Sequence, residues 1–191
     1  MRADQFPTTT APEVAMLGRS NVGKSSLLNA LVGASVARVS STPGRTRAIN
    51  FFSLATQSSP SRPRLVLADL PGYGYAKISR SISAGWPAFI DPYLAERPQL
   101  ALCLCLVDSN IPAQKSDLQL LDWLRERGRM FLVVATKADK LSGNQRTRNL
   151  AQLKSSLGVE ELLPVSSKTG LGLTALTSRL DDLATLSHDA C

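Results

Sequence analysis

Gly18-Arg19-Ser20-Asn21-Val22-Gly23-Lys24-Ser25 matches G-x-x-x-x-G-K-[ST], and no other feature constrains the fold of this chain as tightly. The pattern demands a strand before it and a helix after it. Glu13 to Leu17 is a short apolar strand, and Leu27, Leu28, Leu31 and Val32 recur on one face of a helix that Gly33 is placed to end. Glycines in such a turn let backbone N–H groups point inward at phosphate oxygens, and the helix N-terminus adds partial positive charge. Lys24 is expected to reach the β- and γ-phosphates, and the whole stretch from Gly18 to Ser26 to line them. Ser25 offers a hydroxyl oxygen to Mg²⁺, a hard cation that accepts a few protein oxygens and keeps several waters.

The rest of the chain alternates strands and helices. Ala48 to Ala55 predicts a second strand, Gln57 to Arg64 a polar hairpin loop, and Leu65 to Ala68 a third strand running into Asp69. These two strands are close enough to pair antiparallel. Trp86, Phe89, Ile90 and Tyr93 recur at helical spacing, with Pro92 expected to kink or end that helix. Leu100 to Val107 and Met130 to Ala135 are buried strands, and Leu118, Leu121 and Leu124 mark an amphipathic helix over Lys115 to Arg127. Gln145 to Leu157 predicts a helix, Leu162 to Val165 a short strand, and Leu173, Leu176, Leu180 and Leu183 a final helix. Strands joined by helix-length crossovers give an α/β, three-layer fold, its mostly parallel sheet covered on both faces and its ligand at the carboxyl ends of the strands. With 191 residues, one domain is expected: an extension over 1–12, the nucleotide domain over 13–187 and a tail over 188–191.

Composition narrows the partners and the compartment. Lys+Arg 22 against Asp+Glu 15 gives a net charge of +7, which points to an acidic partner such as nucleic acid. Cys103 and Cys105 alternate in an apolar run and Cys191 is terminal, so core packing in a reducing compartment is expected rather than a disulfide framework or metal site. The first residues lack the apolar segment of a signal peptide, and Leu100 to Val107 falls short of the roughly 20 residues needed to span a bilayer. A cytoplasmic, monomeric protein with no membrane partner is the expectation.

Three further motifs lie at strand ends. Asp69-Leu70-Pro71-Gly72 places an acid to hold Mg²⁺ through its water shell and a glycine N–H for the γ-phosphate. Thr136-Lys137-Ala138-Asp139 follows a buried strand; a carboxylate at Asp139 can accept both N1–H and the exocyclic N2–H of guanine, which adenine does not present. Lys137 can lay its stem over the base. Val165-Ser166-Ser167-Lys168 resembles the loop whose N–H groups meet the guanine carbonyl oxygen. Ser40 to Arg47 occupies the place of a loop closing over the γ-phosphate, and either Thr42 or Thr46 could complete the Mg²⁺ shell.

Taken together these residues resemble the TRAFAC GTPases and, more narrowly, the EngB family of bacterial ribosome-assembly GTPases. The resemblance runs from about Pro12 to the last helix. It rests on Gly18 to Ser26, Thr42-Pro43-Gly44-Arg45-Thr46, Ile49-Asn50-Phe51-Phe52, Asp69 to Ala76 and Thr136 to Asp139. It implies a small G-protein fold with six strands, Thr46 as the magnesium threonine beside Gly44 and Arg45, and Thr136 in place of the asparagine common elsewhere. It further implies GTP and GDP as ligands, a role in maturation of the large (50S) ribosomal subunit and in septation during cell division, and a ribosomal RNA or protein partner. Arg38, Arg45, Arg47, Lys77 and Arg80 flank the two nucleotide-sensing loops, where they could meet RNA phosphates. A GTP-dependent switch for a cell-division or tRNA-modification complex is the alternative.

Hydrolysis of this kind needs positioning and charge neutralisation more than covalent chemistry, with Lys24, Thr46 and Gly72 closest to the reacting phosphate. Tyr73 stands where many G proteins carry a water-orienting glutamine. Slow intrinsic turnover is therefore expected, raised by an assembled partner or by K⁺, which the resemblance places beside Asn21. An ATP-driven enzyme is disfavoured by Asp139, and an RNA-binding protein with a relic phosphate loop by the intact set of motifs.

Overall fold

A computed structural model describes residues 6–8, 10–33, 49–56, 59–73 and 90–186. The order is β1 (Glu13–Gly18), α1 (Lys24–Val32), β2 (Asn50–Thr56), β3 (Ser59–Asp69), α2 (Ile90–Glu96), β4 (Leu100–Asp108), α3 (Lys115–Glu126), β5 (Phe131–Thr136), α4 (Gly143–Leu157), β6 (Leu162–Pro164) and α5 (Leu173–Leu186). One six-stranded sheet runs β2-β3-β1-β4-β5-β6. Only β2 is antiparallel to its neighbour.

Side-chain alternation assigns each strand residue to a face. Ala15, Leu17, Cys103 and Cys105 join Tyr93, Leu120, Leu121, Leu124, Leu153 and Leu157 beneath α2, α3 and α4. Val14, Met16, Leu104 and Leu106 point the other way, against Leu27 and Leu28 of α1 and Leu176 and Leu180 of α5. Both faces are therefore covered, as near-continuous apolar strands require. Burial pushes the Cys103 thiol up to about 12 and that of Cys105 higher than its ordinary value, so these two sulfurs act as small apolar groups.

Three expectations need correction. The stretch read as a hairpin loop from Gln57 belongs to β3 from Ser59 onward. Its prolines fit because β1 pairs only with Val66 to Asp69, leaving the earlier residues facing β2 alone, and because the β2–β3 register shifts at Ala55, opposite Pro63. Pro92 does not end its helix, which continues to Glu96. The buried stripe of α3 is Asp117, Leu120, Leu121 and Leu124, with Leu118 only flanking it. Trp86 and Phe89 lie outside the described residues.

No helix among the described residues is long and apolar enough to cross a membrane. At the end of the sheet remote from the phosphate motif, buried Glu13 is paired with Arg97 and accepts the Tyr93 hydroxyl at 2.9 Å. Phe6, from the stretch read as an extension, packs edge-on against Phe51 and Tyr93.

Candidate nucleotide-binding site

Sheet register brings the motifs to one edge. Met16 lies beside Asp69, Gly18 beside Leu106, and Asp108 beside Thr136. Residues far apart in sequence thus end at the same rim because their strands are parallel.

The phosphate turn is shaped by two left-handed residues, Asn21 at φ 62 and Gly23 at φ 110. Gly23 caps α1 without a side-chain bond, whereas α3 and α4 both begin with capping boxes. The first N–H groups of α1 are left for a ligand to claim. Lys24 Nζ stands 3.6 Å from Asp69 Oδ1, and that buried oxygen has no hydrogen-bond partner among the described residues. Burial raises the Asp69 carboxyl above its ordinary value, with the Lys24 charge opposing.

Gly72 is held against the turn. The Tyr73 N–H donates to the Gly18 carbonyl and the Ser20 N–H to the Tyr73 carbonyl, both at 3.3 Å. A Cβ on Gly72 would lie 3.0 Å from the Ser20 nitrogen, so only glycine fits without displacing the turn. Leu70 beside it is buried. The Tyr73 side chain turns under the sheet edge into the core, where its hydroxyl donates to Asp117 Oδ1 at 3.1 Å.

The base end is tied to the phosphate end. Thr136 Oγ1 lies 2.6 Å from the Val22 carbonyl and 3.0 Å from that of Val107. Lys137, itself at φ 58, donates from Nζ to the Asn21 carbonyl and to Asp108 Oδ2, each at 2.8 Å. Partial burial works against ionisation of Asp108, but Lys137 and Asn110 outweigh it and hold that carboxyl below its ordinary value.

Asp139 follows buried Ala138, whose N–H donates to the Val165 carbonyl at 3.1 Å. That bond joins the two loops read as base contacts. Hydrogen bonding by Ser166 first, and then the charges of Lys168 and Lys140, hold the Asp139 carboxyl below its ordinary value, so it is an acceptor at neutral pH. The Ser166 hydroxyl oxygen accepts from the N–H groups of Lys168 and Thr169, both at 3.2 Å, which shapes the turn after Val165 and Ser167. Gly172 closes that turn at φ 72, and a Cβ there would sit 2.0 Å from the Pro164 carbonyl oxygen.

The described residues therefore gather Gly18 to Ser26, Asp69 to Gly72, Thr136 to Asp139 and Val165 to Ser167 at one rim. Gly44, Arg45 and Thr46, like Thr42, Arg38, Arg47, Lys77 and Arg80, lie outside them. Sequence reading missed Asp108 and Asp117. An acid closing an apolar strand, or third in a helix, was the available signal.

Comparison with known proteins places this arrangement. Residues 13–137 match the family described as 50S ribosome-binding GTPase. A probable GTP-binding protein EngB of Acidobacterium capsulatum is 63% identical over 190 residues, covering 100% of this chain and 90% of the relative. Its counterpart from Koribacter versatilis is 56% identical over 182 residues, covering 95% and 89%. Among solved structures, a probable GTP-binding protein EngB superposes with a TM-score of 0.67 at 20% identity, covering 91% of this chain and 98% of that one. Era, solved with MgGDPNP and nucleotides of 16S ribosomal RNA, gives a TM-score of 0.71 at 22% identity, covering 90% and 56%.

Proposed function

We propose that this chain, which belongs to the EngB family of GTP-binding proteins, acts as a nucleotide-dependent switch on the large ribosomal subunit during its assembly. It is a P-loop GTPase, and the proposal concerns which residues perform the reaction and what the switch acts on. The G domain is taken to span 13–187, preceded by the 1–12 extension and followed by the 188–191 tail.

The observation that carries the site reading is the buried Asp69 oxygen that makes no hydrogen bond among the described residues and is met only by the long ion pair to Lys24. At 3.6 Å that ion pair leaves the oxygen without a hydrogen bond, and a closer cation or donor in the working state would offset the cost of burying it. Ser25, on the first turn of α1, supplies a hydroxyl, and this pair of hard oxygens suits Mg²⁺. Ser25 and Asp69 would hold the ion, with Thr46 as a third oxygen ligand. When bound, the ion neutralises charge developing on the β- and γ-phosphates.

This chain's own residues do the rest. The Ser20 and Val22 N–H groups are spent on the Tyr73 and Arg19 carbonyls, and other N–H groups of the turn up to Ser26 wrap the phosphates; Lys24 neutralises the terminal one, and the Gly72 N–H approaches it from the end of β3. Asp139 accepts N1–H and N2–H of guanine, and the turn from Val165 to Ser167 presents N–H groups to its carbonyl oxygen. Tyr73 is committed to Asp117 and offers no group to orient the attacking water, so intrinsic hydrolysis is slow. Stimulation comes from the assembled partner or from K⁺ held beside Asn21.

Supporting the ribosomal reading are the match to a family described as 50S ribosome-binding and the net charge of +7, which suits an RNA-rich partner in a cytoplasmic setting. Cosedimentation with 50S particles tests it. The protein is expected to pellet with a non-hydrolysable GTP analogue and to stay in the supernatant with GDP; pelleting indifferent to nucleotide, or none, contradicts the switch.

A further inference from the structure

The Asp117 carboxylate, at the start of α3, is almost wholly buried, with 3% of its side chain exposed. One oxygen, Oδ2, accepts the Gln114 N–H at 3.1 Å and caps its own helix. The other, Oδ1, accepts the Tyr73 hydroxyl at 3.1 Å and lies 3.5 Å from Arg19 Nε. That nitrogen is buried and makes no hydrogen bond among the described residues, so the ion pair is its compensation. Arg19 is the second residue of the phosphate turn. Tyr73 is the first residue beyond Gly72, and its backbone is joined to Gly18 and Ser20 on the same turn.

One carboxylate on α3 therefore grips both sides of the seam along which Gly72 meets the phosphate loop. Capping α3 needs only Oδ2, which meets the Gln114 N–H in a reciprocal capping box with that residue. Burying a carboxylate to receive Arg19 and Tyr73 as well is expensive for a role in packing alone. Gly72 has no side chain with which to fix its own orientation, so the direction of its N–H is set by its neighbours, and Tyr73 is the neighbour that is anchored.

We propose that Asp117 is a positioning residue that latches Tyr73 and Arg19 together beneath the phosphate turn and so fixes the Gly72 N–H for a terminal phosphate, making α3 a determinant of GTP over GDP. This rests on the reading above that Gly72 meets the γ-phosphate. A diphosphate does not extend to Gly72, so the latch acts on GTP selectively.

Equilibrium titration of fluorescent GDP and of a non-hydrolysable GTP analogue into wild type, Tyr73→Phe, Asp117→Asn and the double variant tests the latch. Each single variant is expected to weaken the analogue about tenfold, the scale of one hydrogen bond to a charged group, while GDP affinity stays within about twofold. The double variant should be no worse than the poorer single one, because both remove the same contact. Equal losses for both nucleotides would reduce the triad to a packing bond and overturn the proposal; so would additive losses, or no change. Gly72→Ala, run in parallel, separates the premises. Unaltered analogue binding there removes both the Gly72 contact and the latch, whereas selective loss there with indifferent latch variants removes the latch alone.

Discussion

Thr136 Oγ1 lies 2.6 Å from the carbonyl oxygen of Val22, across 114 residues of sequence. The loop proposed to read the base and the turn proposed to wrap phosphates are thereby held at a fixed separation. Lys137, bonded to the Asn21 carbonyl, adds a second tie one residue away.

Thr136→Val keeps the shape of the side chain and removes the hydroxyl, leaving the Val22 carbonyl without its short bond. The expected loss is about 1–2 kcal/mol in urea unfolding, together with weaker binding of fluorescent GDP by about tenfold, because a buried acceptor is stranded. Unchanged GDP binding would show that the tie does not set the spacing.

Gly172→Ala places a methyl group 2.0 Å from the Pro164 carbonyl oxygen in a residue at φ 72. Both the clash and the left-handed backbone oppose it, and about 2 kcal/mol or more of stability should be lost. The Ser166 N–H donates to the Leu171 carbonyl at 2.9 Å, so guanine affinity should fall with it. Calorimetry in the absence and presence of GDP reads both effects.

Asp69 is held above its ordinary carboxyl value by burial. The folded protein therefore keeps that proton to a higher pH than the unfolded chain does, and stability falls as pH rises above about 4, where the unfolded carboxyl ionises first. Asp69→Asn removes this dependence. Without nucleotide or Mg²⁺, the variant should gain stability relative to wild type between pH 4.5 and 7.5 in urea titrations, while losing Mg²⁺-dependent GTP binding. A variant less stable than wild type at every pH would contradict this assignment.

Hydrolysis measured in potassium and in sodium at equal ionic strength checks the role given to Asn21. Faster turnover in potassium is expected, and Asn21→Ala should abolish the difference. Equal rates, with and without ribosomes, would remove the cation from the account.

Local motifs made much of the proposed site legible in sequence: Gly18 to Ser25, Asp69 to Gly72 and Thr136 to Asp139 are each a few consecutive residues, and parallel strands bring them to one rim. The sheet was equally readable, since Leu100 to Val107 is a continuous apolar run of strand length, too short for a typical buried helix. What escaped depended on distance or on context. The Tyr73–Asp117 bond spans 44 positions, and nothing local to either residue announces the other. Ser59 to Arg64 looks like a loop because its prolines and polar residues oppose strand pairing in general; it pairs because only one neighbour needs satisfying there. Leu118 fits the helical period as well as Leu120 does, and the position of the sheet decides which one is buried.

Competition against fluorescent GDP by GTP, ATP and XTP, in wild type and Asp139→Asn with Mg²⁺ present, tests the central claim most directly. GTP alone should displace the probe from wild type, since only guanine offers both donors that the Asp139 carboxylate accepts. In Asp139→Asn the preference for GTP should collapse and XTP, whose 2-carbonyl can meet the new amide, should compete best. Displacement by ATP in wild type, or a guanine preference that survives the substitution, would contradict the account.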